Sequence, residues 1–170
     1  MPKKSFRPEM NGNLKRRIRS SLLRWYTRAH RDLPWRRTRD PYAILASELM
    51  LQQTQVSTVI PYYERFIRAF PTPADLARAP MDRVLKAWEG LGYYSRARNF
   101  KRLAEIVVKE HKGEIPSKVN DLMALPGVGR STAGAVASLA FGKAVPILDG
   151  IGRDRLYAEA SCLPRLPASA

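Results

Sequence analysis

Apolar residues recur along most of this chain at intervals of three and four, with polar residues between them, so the chain reads as helices joined by short turns. Leu14, Ile18, Leu22, Trp25, Tyr26 and Ala29 form one stripe and predict a helix over 14–31 with a basic outer face. Asp40-Pro41 is a helix start, a capping residue followed by proline in the first turn, and the helix it opens is predicted to run to about Gln53. Val56, Val59, Ile60, Tyr63, Phe66, Ile67 and Phe70 carry a helix over 55–70, and Thr72-Pro73 starts a short one by the same cap-and-proline logic. Further helices are predicted over 81–89, ended by Gly90, and over 93–112, closed by Gly113. Two more are predicted from a Ser117 cap to Leu125, and from Arg130 to Phe141 before Gly142. Strand-like alternation and internal repeats are absent. Residues 151–160 read as a weak helix and 161–170 as a frayed tail.

Inside this pattern one position breaks the rule. Glu48 sits in the middle of an apolar helix, in Ser47-Glu48-Leu49-Met50-Leu51-Gln52-Gln53-Thr54-Gln55. Its neighbours at three and four residues, Ile44, Leu45, Leu51 and Gln52, include no base. A carboxyl desolvated without a cation has a raised pKa and suits a general acid. The alternative is a glutamate whose stem packs on apolar neighbours while its head reaches water.

Composition narrows the class. With 45% apolar residues in 170, the chain is long enough for one domain with a real core. No apolar run could span a bilayer, and the basic Met1–Arg7 stretch has no apolar segment after it, so it is not a secretory signal. The single cysteine, Cys162, excludes a disulfide framework and a four-cysteine metal site within the chain, and implies a reducing setting. The expected location is cytoplasmic and, in a bacterium, nucleoid-associated. Net charge is +15, and 13 of the 30 Lys and Arg fall in residues 1–39 against two acids, Glu9 and Asp32. Nucleic acid is the partner that fits this excess, ahead of an anionic membrane surface or a merely soluble basic face.

Two further stretches carry candidate chemistry. Leu125-Pro126-Gly127-Val128-Gly129-Arg130 predicts helix, glycine turn, helix. The turn is either a plain connection or an anion site made by backbone N–H groups, and the charge favours the second. In Val145-Pro146-Ile147-Leu148-Asp149-Gly150 an apolar segment ends in a carboxylate, either in an ordinary turn or as a partner for Glu48. Two carboxylates across a glycosidic bond would supply an acid and a stabiliser of the developing cation.

Leu33-Pro34-Trp35-Arg36, the Ser47–Gln55 run, Trp88 to Asn99, Leu125 to Gly134 and Ile147-Leu148-Asp149-Gly150 together resemble the MutY-type adenine DNA glycosylases of the helix-hairpin-helix superfamily. The resemblance covers about residues 14–150. It implies an all-α fold, with a basic arm and helix over 1–35, a six-helix barrel with its hairpin over 36–142, and a segment over 143–170 bearing Asp149. The implied substrate is duplex DNA with adenine opposite 8-oxoguanine or guanine, from which the base is flipped out and removed. In this resemblance Glu48 is the acid that protonates adenine N7, and Asp149 stabilises the sugar cation. Arg36 and Ser131 line the adenine pocket, Gln53 and Tyr93 wedge into the stack, and Thr54 and Leu91 lie near 8-oxoguanine. Gly127 and Gly129 hold a backbone phosphate. Ser131 stands where bifunctional relatives carry a lysine nucleophile, which implies base removal by water with little strand cleavage.

Relatives of this type carry four cysteines for a [4Fe–4S] cluster and a further domain, whereas this chain ends at Ala170 with Cys162 alone. The expectation is therefore no cofactor in this chain, with the second, iron–sulfur subdomain largely missing through truncation, a frame disruption or a split. Trp25, Leu22 and Ile18 are expected to lie exposed, and Asp149 to be poorly held. Three readings follow: a monofunctional, monomeric adenine glycosylase with reduced or absent turnover, a non-catalytic DNA-binding module, or one half of a split enzyme.

Overall fold

The structure, a computed structural model, describes residues 11–145. Asp149, Cys162, the weak helix expected over 151–160 and the tail over 161–170 lie outside the described residues. All regular structure among the described residues is helical: α1 (Gly12–Ala29), a 3-10 turn (Pro34–Arg36), α2 (Pro41–Leu51), α3 (Val56–Ala69), α4 (Pro73–Arg78), α5 (Met81–Trp88), α6 (Tyr94–Glu110), α7 (Val119–Met123) and α8 (Arg130–Leu139). None of these helices is long and apolar enough to cross a membrane. Two compact units divide between Arg31 and Asp32.

In the first unit, α1 is capped by Asn11, whose side chain accepts from the Asn13 N–H. Its stripe of Leu14, Ile18, Leu22 and Trp25 is exposed, Trp25 at 63%.

The second unit is built around an aromatic cluster. Phe66 of α3 touches Phe70 at 4.9 Å, meets Trp88 of α5 edge-on at 5.7 Å and stacks on Phe100 of α6 at 5.6 Å, while Tyr42 of α2 stacks on Phe100. Trp88, Phe66 and Phe100 are fully buried. Burial of each such ring stabilises the fold by about 1.5–3 kcal/mol, so this cluster ties four helices into one body. The Tyr42 hydroxyl donates to the Phe70 carbonyl at 3.0 Å, which satisfies the polar tip inside the core.

The cap signals work as their chemistry requires. The Asp40 carboxylate accepts from the Tyr42 N–H at 3.0 Å with Pro41 in the first turn. The Thr72 hydroxyl accepts from the Asp75 N–H at 3.2 Å and donates to the Asp75 carboxylate at 2.6 Å. Ser117 does not cap α7. The helix starts after Lys118 with no side-chain cap. Ser117 instead receives Lys143, whose Nζ donates to its carbonyl at 2.6 Å and lies 3.3 Å from its hydroxyl. Helix α2 stops at Leu51, two residues before the expected end, and α8 stops at Leu139. The 3-10 turn at Pro34–Arg36, which buries Trp35, carries no helical period and is not anticipated by the pattern.

Candidate active site and nucleic-acid interface

Helix α2 delivers the candidate acid. Residues 42–47, Leu49 and Met50 are all buried, so Glu48 is the half-buried exception near the end of a helix with no polar face. No hydrogen bond or ion pair joins the Glu48 side chain to another described residue. Desolvation alone pushes its carboxyl up to about 7. The carboxyl can therefore hold a proton near neutral pH and give it up. Gln52 does not share the Glu48 helix face. With the helix ended at Leu51, Gln52 turns to an extended backbone (ψ 112°), and its Nε2 points to the Gly127 carbonyl at 3.5 Å and the Thr132 hydroxyl at 3.4 Å.

Beyond α2 the chain makes a tight loop. Gln53 is exposed and holds a left-handed backbone, φ +57°. Tyr93, between Gly92 and α6, is 59% exposed and also left-handed, φ +47°. Side-chain-bearing residues rarely adopt this region, and it costs on the order of 1–2 kcal/mol each. The two candidate wedges are thus presented on strained turns. Thr54 is half-buried, with its hydroxyl engaged by Arg96 at 3.2 Å and by the Gln52 carbonyl. The Leu91 side chain is only 5% exposed and belongs to the core.

The glycine turn enters α8. Gly127 has φ +79°, and a Cβ there would stand 3.1 Å from the Asn99 Cβ of α6, so the fold itself requires glycine. Gly129 differs. Its φ is −82°, it is the N-cap of α8, and a Cβ there would meet nothing within 4 Å. Ser131 is half-buried in the first turn of α8. Arg36 is exposed at the end of the 3-10 turn, which packs on α2. The Gln52 contacts join the end of α2 to the glycine turn, and Arg96 joins it to the 91–93 loop. Glu48, the Gln53 loop, the Tyr93 loop and the turn therefore belong to one region of the second unit. Among the described residues no group of three or more His, Cys, Asp and Glu side chains is placed to hold a metal ion.

Residues 46–160 match the family described as HhH-GPD superfamily base excision DNA repair protein. This chain belongs to the HhH-GPD superfamily. Within it, the chain is 50% identical over 142 residues to the adenine DNA glycosylase of Homo sapiens, covering 78% of this chain and 26% of that protein. It is 46% identical over 131 residues to the adenine DNA glycosylase of Buchnera aphidicola subsp. Baizongia pistaciae (76% of this chain, 37% of that one). The corresponding Mycobacterium tuberculosis protein is 43% identical, with coverage of 76% and 43%. The chain thus spans less than half the length of these curated relatives. A thermostable thymine-DNA glycosylase superposes with TM-score 0.75 at 35% identity, over 81% of this chain and 64% of that one. A trapped endonuclease III–DNA covalent intermediate superposes with TM-score 0.71 at 27% identity, over 83% and 65%.

Two residues at the heart of this HhH-GPD site escape a reading of the sequence: Gln52 as the tie to the glycine turn, and Arg96 as a buried tie between loops. A signal for Arg96 exists. It shares the helical spacing of Phe100, Leu103 and Val107, which puts a cation on the inner face of α6.

Proposed function

We propose that this chain removes adenine from duplex DNA in which the adenine stands opposite 8-oxoguanine or guanine, by hydrolysis of the N-glycosidic bond. The observation that carries the reading is Glu48: a carboxyl pushed to about 7 by burial, with no cation beside it, on a helix whose end Arg96 ties to the loop of Tyr93. The likeness to adenine DNA glycosylases supports adenine as the base.

In this reading Gln53 and Tyr93 enter the stack as the adenine leaves it, which brings the buried glycosidic bond within reach. Thr54 and the backbone of Leu91 lie toward the opposite base, and Arg36 and Ser131 toward the extruded adenine. Glu48 transfers its proton to adenine N7. The C1′–N9 bond then breaks, and its electron pair leaves with the base. Asp149 stays ionised and stabilises the sugar cation. A water oxygen adds to C1′, and the proton it releases replaces the one Glu48 gave. The products are free adenine and an abasic site. Ser131 has no amine, so no Schiff base forms there and the strand stays intact. The open approach at Gly129 lets a backbone phosphate reach the N–H groups that start α8. Cys162 alone does not make up the four thiolates that an iron–sulfur cluster takes, and no step of the reaction runs through such a cluster.

The test is incubation with a duplex holding adenine opposite 8-oxoguanine, followed by hot alkali. Alkali-dependent breaks at the adenine, lost in Glu48→Gln, are the expected result. Salt-sensitive binding without abasic product would leave only a duplex-binding module, and breaks without alkali would contradict the role given to Ser131. The excision rate is expected to fall about tenfold per unit as pH rises above about 7, as Glu48 loses its proton.

A further inference from the structure

Arg96 is 8% exposed and has no carboxylate within ion-pair distance among the described residues. A buried cation normally needs such a partner. Here the compensation is a set of oxygens divided between two places. Nη1 donates to the carbonyls of Leu49 at 3.1 Å and Met50 at 2.9 Å, and to that of Gln52. Nη2 donates to the Thr54 hydroxyl at 3.2 Å and to the carbonyls of Leu91 at 3.2 Å and Gly92 at 3.4 Å. The guanidinium also lies 5.7 Å from the Trp88 ring centre and 5.2 Å from that of Tyr93.

The first set of contacts has an ordinary structural meaning. The last carbonyls of α2 lack intrahelical donors, and a cation at the negative end of a helix is favourable. Capping a helix does not need a planar fork sunk into the core, however. The fork does something that a single donor cannot. It fixes the end of α2 and the Gln53–Thr54 loop on one side, and the Leu91–Gly92 turn that precedes Tyr93 on the other, at a set spacing and angle.

We propose that Arg96 is the positioning residue that sets the separation of the Gln53 and Tyr93 side chains, and so controls whether the pair can open a duplex stack. The proposal rests on the function proposed above, and deepens it by assigning the geometry of the wedge to one guanidinium. Lysine at this position keeps the charge and one point of contact, but cannot hold both loops at once.

The experiment compares the 170-residue chain with Arg96→Lys. Hydrogen exchange without DNA is measured first. In Arg96→Lys the amides of residues 51–54 and 91–93 are expected to lose protection together, while α7 and α8 keep theirs. Stack opening is then read with 2-aminopurine placed opposite 8-oxoguanine. The fluorescence rise that the parent chain produces on binding is expected to fall about tenfold in Arg96→Lys, with duplex affinity at matched salt within twofold. Single-turnover excision is expected to fall on the order of 100-fold. Gln53→Ala should lower opening in the parent chain and add nothing in Arg96→Lys, because the two act as a unit. Parent-like opening in Arg96→Lys, or loss of protection in one loop alone, overturns the proposal. If Arg96→Lys does not fold, Thr54→Val removes one arm of the fork. Partial loss of protection in both loops then supports the proposal, and no change in the 91–93 loop overturns it. A parent chain that neither opens nor excises sinks the functional reading, while the exchange pattern still decides the role of Arg96.

Discussion

Glu48 opposes its own fold. Its carboxyl has an ordinary value of 4.5 in the unfolded chain and about 7 in the folded one. The folded state therefore binds the proton more tightly. The associated stability is fully present below pH about 4.5 and is lost as pH rises through about 7. Glu48→Gln removes the ionisation, so it is expected to leave stability at pH 4 nearly unchanged and to raise it by about 2–3 kcal/mol at pH 8. Urea titrations at the two values check this. A variant more stable than the parent at pH 8 that has lost all excision would separate the chemical role of Glu48 from any structural one. This residue was legible in the sequence because the anomaly is local: one acid, apolar neighbours at three and four positions, and no base. Arg96 was not legible as a tie, because four of its six acceptors, on Leu49, Met50, Gln52 and Thr54, lie more than forty residues back along the chain, in a turn whose shape no nearby residue announces.

At the scale of elements, the sequence was most readable where a helix end is made by its own neighbours. Asp40-Pro41 and Thr72-Pro73 place caps within three residues of their donors, and the observed starts follow them. Ser117 failed as a cap because Lys143, from beyond α8, takes its oxygens. Gln53 and Tyr93 were read as helix ends, and their left-handed turns went unseen because such backbone is expected at glycine, and neither is one. The glycine turn invites a contrast. Gly127→Ala puts a Cβ against Asn99 at a φ of +79°, and is expected to cost about 1–2 kcal/mol of stability along with duplex affinity. Gly129→Ala has free space and an ordinary φ, so its melting point should hold while duplex binding weakens. Thermal melts and fluorescence anisotropy on one duplex separate the two glycines. Asp40→Ala, in turn, is expected to lose about 1 kcal/mol through α2 alone.

For the whole molecule the dominant quantity is the net charge of +15. Binding to any duplex should weaken steeply with salt, since each neutralised phosphate adds about 0.9 to the slope of log affinity against log salt. Arg17 and Arg28 lie exposed on α1. The double variant Arg17→Ala, Arg28→Ala is expected to reduce that slope by about 1–2 without changing the preference among sequences. An unchanged slope would mean that α1 does not touch the backbone. The helical class, the basic face and the order of elements were all legible at this scale, because they depend on period and composition. The 3-10 turn under Trp35 was not, because three residues are too few to show a period.

The three tryptophans occupy unlike surroundings: Trp25 largely bare, Trp35 nearly enclosed, and Trp88 enclosed completely with its indole N–H donated to the Gly92 carbonyl at 3.2 Å. Iodide in solution should therefore extinguish the red-shifted emission of Trp25 and spare a bluer component. The spared light comes from Trp35 and Trp88, and the Trp88 share originates beside the loop that carries Tyr93, so a shift in its wavelength as a duplex is added gives a label-free optical record of the loop.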